Sequence, residues 1–78
     1  MGMNAQPEPT GTLEQALAQG ARLLGERPAL AESQARAILE ALPREPNALL
    51  LLGVAQAAQG RWNDAVDTLR ALTIQEPR

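Results

Sequence analysis

Four consecutive leucines closed by a glycine, Leu49-Leu50-Leu51-Leu52-Gly53, constrain the fold of this 78-residue chain more than any other feature. On a helix each residue turns about 100° from the last. Leu49 and Leu52 therefore share one face, and Leu50 and Leu51 must present leucine on a second. The surrounding apolar stretch runs from Ala48 to Ala58, and Gln56 is its polar interruption. It falls well short of the roughly 20 residues a membrane-spanning helix needs. A short helix that is apolar on two sides needs helical neighbours both before and after it.

Composition narrows the class. Ala, Leu, Gln, Glu and Arg, all good helix formers, dominate. Trp62 is the single aromatic residue and β-branched residues are few, so little favours strands. Cysteine and histidine are both absent, which removes disulfides, thiolate metal sites, and the commonest metal ligand and general base. No metal or cofactor is expected. The seven basic residues are all arginines, scattered along a chain of net charge −2. Such a chain offers neither a phosphate-binding field nor a stacking platform, so no nucleic-acid partner is expected. Met1–Thr10 is polar and contains proline, without the basic cluster and apolar core of a signal peptide. A cytoplasmic protein with no membrane partner is the expectation.

Punctuation divides the rest. Residues 1–11 read as a disordered lead-in, with Pro7 and Pro9 opposing helix and nothing apolar to bury. Thr12-Leu13-Glu14-Gln15 is a capping box that opens a helix from about Leu13 to Leu24. Gly25 stands where a left-handed cap would follow. Pro28 suits the first turn of a second helix, which reaches about Leu42 with Leu30, Ala31, Ala35, Ile38, Leu39 and Leu42 on one face. Arg36 and Glu40 are spaced as an i, i+4 pair. Pro46 opens a third helix to about Gln59, stopped by Gly60. Asn63 is the expected N-cap of the fourth, with Asp64 at its positive end, and Ala65, Val66, Leu69, Leu72 and Thr73 form its stripe. The predicted fold is all-α, two antiparallel helical hairpins with short connections.

The spacing of Leu49, Leu52, Gly53, Gln56, Ala65, Leu69 and Pro77 resembles a tetratricopeptide repeat, whose period is about 34 residues. Leu49, Gln56 and Leu69 stand where the family carries aromatics. Counting back one period sets Ala31 opposite Ala65, Ala35 opposite Leu69 and Pro43 opposite Pro77, while Gln19 falls opposite Gly53 and Pro28 opposite Trp62. Residues 46–78 are thus the better-matched repeat and 12–43 a degenerate one, within a domain spanning 12–78. The resemblance implies that Gly53 and Ala65 are positions of close helix approach and that Trp62 is a core residue.

It also implies a concave groove lined by the first helix of each hairpin, with Leu50, Val54 and Ala57 pointing into it. Together with Leu51, Ala58 and Leu72 these are the candidate partner-binding residues. At least one of Leu50 and Leu51 is expected to pack on the preceding hairpin instead. The Lys, Arg and Asn that hold a peptide carboxylate in chaperone-adaptor members are replaced here by Leu50, Leu51 and Val54. The expected partner is accordingly an apolar protein or peptide segment, or a second copy of the chain as a homodimer.

Catalysis has no foothold. Ser33 lacks an obvious base, since the adjacent Glu32 lies about 100° around the helix. Asp64 and Asp67 read as a solvated face near a helix N-terminus. The chain is expected to be a non-catalytic interaction scaffold. The alternative is the repeat region of a larger enzyme: Thr12 through Ala35-Arg36-Ala37-Ile38-Leu39 to Leu49-Leu50-Leu51-Leu52-Gly53 is similar to the opening of bacterial proteins that carry such repeats ahead of a sulfotransferase domain. No catalytic residue of that domain has a counterpart here.

Overall fold

The described residues form four α-helices: α1 (Leu13–Glu26), α2 (Pro28–Ala41), α3 (Pro46–Ala58) and α4 (Trp62–Ile74). The computed structural model describes residues 12–74, so the lead-in expected over 1–11, and Pro77, lie outside the described residues. The fold is all-α, with no strand among the described residues. At the start of α1 the Thr12 hydroxyl accepts the Gln15 N–H at 3.0 Å, and the Gln15 side chain accepts the Thr12 N–H at 3.1 Å. This reciprocal box satisfies two of the donors a helix start leaves open. Pro28 and Pro46 each occupy the first position of their helix, and the Glu45 carboxylate accepts the Asn47 N–H at 3.0 Å.

Helix α3 ends as its glycine demands. Gly60 adopts φ 82°, its N–H donates to the Ala57 carbonyl and the Arg61 N–H donates to the Gln56 carbonyl, both at 2.9 Å. That pair of bonds is a Schellman closure, which favours glycine at the left-handed position. Gly25 plays no such part. Helix α1 runs through it to Glu26, and Arg27 closes α1 by donating its N–H to the Leu23 carbonyl at 2.7 Å. The Arg27 carbonyl then accepts from Leu30 and Ala31, so one residue ends α1 and starts α2. Asn63 is likewise not a cap: the Ala65 N–H donates to the Arg61 carbonyl at 3.0 Å, and α4 begins at Trp62, directly out of the Gly60 turn.

Helix α2 packs against both α1 and α3, α3 also touches α1, and among the described residues α4 packs on α3 alone. The central position of α3 follows from its sequence. Ala48, Leu51, Leu52, Gly53, Ala55 and Gln56 are all buried, more than one side of a single helix. Ala31, Ala35, Leu51, Leu52 and Ala55 form the core, with Leu17, Leu23, Leu24 and Leu39 packed around it. Two glycines set helix separations. A Cβ on Gly53 would stand 2.7 Å from Leu69 Cδ2, and one on Gly20 would overlap Leu51 Cδ2.

Several expectations about faces are corrected. Leu30 and Leu42 of α2 are 45% exposed, because the buried stripe narrows to Ala31, Ala35 and Ile38. Val66 and Thr73 are exposed on α4, whose inner side is Ala65, Thr68, Leu69 and Leu72. Trp62 is 65% exposed rather than in the core. It stands beside the α3–α4 turn, in a shallow depression with Gly60, Arg61, Asn63 and Asp64, and none of the described helices covers it. Arg36 turns back to Glu32 instead of forward to Glu40.

Candidate functional site

Helices α1 and α3 lie side by side and enclose an open groove of about 480 Å³. Helix α1 supplies Leu17, Ala18, Ala21 and Leu24, and α3 supplies Leu50, Leu51 and Val54, with Glu14 and Asn47 as the polar members. Leu50 is 46% exposed and Val54 40% exposed, so apolar side chains remain available to a ligand. Leu51 is only 6% exposed. Seated against Gly20, it belongs to the core and contributes only the groove floor. The alanines of α1 keep the groove open, since larger side chains at positions 18 and 21 would fill it.

The six candidate residues do not all meet. Leu50, Leu51 and Val54 line the groove together. Ala57 is half-buried and Ala58 exposed further along α3, and Leu72 is half-buried on α4; none of these three lines it. The α1 contribution was absent from the sequence-based candidates. Its signal was present, because Leu17, Ala21 and Leu24 follow helical spacing, but that stripe serves both the core and the groove wall. Spacing alone does not divide one stripe between two surfaces.

The strongest electrostatic feature lies elsewhere. Glu32 of α2 is 9% exposed, and its Oε2 accepts from Arg36 Nη2 at 2.8 Å and Nε at 3.1 Å. Its Oε1 accepts from Arg61 Nη1 at 2.6 Å and Gln59 Nε2 at 2.8 Å. Arg61 also donates its Nε to Asp64 Oδ2 at 3.1 Å, and Gln59 to the Ala55 carbonyl at 3.0 Å. The bond from Arg61, then that from Gln59, outweigh the opposing effect of burial and hold the Glu32 carboxyl at about 2. The same contacts raise Arg61, through Glu32 first and Asp64 second. A carboxylate so placed is ionised at neutral pH and its lone pairs are occupied. It ties α2 to the α3–α4 turn and is poorly suited to taking up a proton.

A second tie is buried beside it: Gln56, 4% exposed, accepts from the Thr68 hydroxyl at 2.7 Å and joins α3 to α4. Ser33 donates its hydroxyl to the Ala29 carbonyl at 3.3 Å on its own helix. Among the described residues no group of three or more metal-binding side chains comes together, and no helix is long and apolar enough to cross a membrane. Comparison of the chain with family models, with curated proteins and with solved structures gives no match.

Proposed function

We propose that this chain is a non-catalytic helical scaffold that holds an apolar helical segment of a protein partner in the α1–α3 groove. The observation that carries this reading is the pairing of two half-exposed side chains, Leu50 and Val54, with an alanine-lined wall across from them. A groove of this kind accepts the apolar face of a helix through residues at i, i+3 and i+4. Its lining offers no positive charge to a peptide carboxylate, and Glu14 would repel one. The tetratricopeptide-like reading draws support from Gly20 and Gly53, 33 residues apart, each receiving a leucine from another helix. Gly53 opposite Leu69 and Gln56 opposite Thr68 support an antiparallel pairing of α3 with α4.

The test is position-dependent cross-linking in the native cell. A photoreactive benzophenone amino acid replaces Val54 in one version and the exposed Ser33 of α2 in another. A discrete adduct at position 54, lost on Leu50→Glu and absent at position 33, is the expected result. No adduct at position 54, or the same adducts at both positions, overturns the proposal.

A further inference from the structure

Helix α4 presents an exposed apolar ridge on a face separate from the groove. Trp62, Val66, Arg70 and Ile74 follow one another at intervals of four along α4. Trp62 is 65% exposed, Val66 52% and Ile74 71%. Residues spaced by four form a ridge of the kind that packs into the groove of a second helix. Asp67 flanks the ridge at its middle, three residues before Arg70, and both are exposed.

We infer that this ridge pairs with the same ridge of a second copy, about a two-fold axis crossing α4 at the level of Thr68. With the helices running oppositely, Trp62 of one copy meets Ile74 of the other, and Val66 meets the aliphatic stem of Arg70. The Arg70 guanidinium then reaches Asp67 across the axis, and the symmetry makes that ion pair twice. The charge pattern is thus complementary to itself, as a two-fold contact requires. Open-ended, head-to-tail stacking is disfavoured by the other end of the molecule. The outer side of α1 carries Gln15, Gln19, Arg22 and Glu26, all exposed and all within one helical stripe. Burying that stripe beneath Val66 and Trp62 would desolvate four polar side chains without partners.

The contact is small. A helix of 13 residues is ~20 Å long, so it buries well under the ~800 Å² per partner of a standard interface. Association is therefore transient, at concentrations on the order of 10⁻⁴ M.

Trp62 is the single tryptophan, so its fluorescence reports this contact alone. Light scattering and emission are followed together over a dilution series of the full chain. The expected result is a mass rising from 8.3 kDa toward twice that value, in step with a blue shift of the emission. Val66→Glu abolishes both changes with helicity intact. Arg70→Asp weakens pairing, and adding Asp67→Arg in the same chain restores it, because each reversed charge still meets its opposite. A mass that stays at one chain up to about 1 mM overturns the inference. So does growth beyond a dimer, a dimer that leaves Trp62 emission unmoved, or one broken by Val54→Glu but not by Val66→Glu.

Discussion

At Gly53 a single added carbon is enough to test the contact between α3 and α4. Alanine normally strengthens a helix over glycine by about 1 kcal/mol, but here the new Cβ would stand 2.7 Å from Leu69 Cδ2 and 2.8 Å from its Cγ. Overpacking of this kind costs about 1–3 kcal/mol, so Gly53→Ala is expected to destabilise, by about 1 kcal/mol net, in urea unfolding followed by circular dichroism. Adding Leu69→Ala is expected to cost less than the sum of the two single changes. Gly25→Ala goes the other way. Nothing lies within 4 Å of its would-be Cβ, and the residue is helical, so a gain of about 0.5 kcal/mol is expected in the same assay.

The contrast between these glycines marks what the sequence discloses. A 34-residue step from Gly53 lands on Gln19, whereas the close-approach glycine is Gly20. One residue, Arg27, joins α1 to α2, while three, Gln59 to Arg61, join α3 to α4, so no single step aligns every helix. The seats also fill differently. Leu69 enters the space at Gly53 from the following helix, but its counterpart Ala35 is too small, and Leu51 of α3 enters at Gly20 instead. Leu51, one of the candidate partner-binding residues and one of the two leucines of which at least one is expected to pack on the preceding helices, is thereby drawn into the core. The capping box, the helix-opening prolines and the Gly60 stop were legible because each depends on residues within one turn. The exposure of Trp62 was not, because it depends on what lies across the molecule.

Among the elements, Glu32 ties α2 to the turn between α3 and α4. The folded carboxyl lies at about 2, below its ordinary value of 4.5, so Glu32 contributes stability that is present above pH 4.5 and lost as pH falls toward 2. The groups facing it are the guanidiniums of Arg36 and Arg61, with Asp64 on the far side of Arg61. Both arginines are partly exposed, at 54% and 39%, which screens the pairs. Glu32→Ala is expected to cost about 2 kcal/mol at pH 7 and to flatten the acid limb of a stability profile between pH 5 and 2. Glu40→Ala, with its partner Arg36 turned away, should leave that limb unchanged. Nothing in the Glu32 sequence neighbourhood pointed to this tie, since Gln59 and Arg61 lie 27 and 29 residues downstream.

For the whole molecule, contact is unevenly shared. Helix α3 is flanked by all three other helices, while α4 has α3 alone among the described residues. Local opening follows contact density. In hydrogen exchange the amides of α3 and α2 are expected to exchange last and those of the final turn of α4 first, with slower α4 exchange at concentrations where copies pair. A uniform exchange profile across the four helices would contradict that gradient.

The single-residue corner at Arg27 has a further consequence for how the chain tolerates growth. Arg27 serves as the last cap of one helix and the first of the next, so the corner holds no slack, whereas residues 42–45 between α2 and α3 do not share their caps in this way. Extra residues after Pro43 would lengthen a surface connection at little entropic cost; after Arg27 they would force one helix to unwind or pull out of register. The connection between α2 and α3 is where this molecule can be lengthened, and the corner between α1 and α2 is where it cannot.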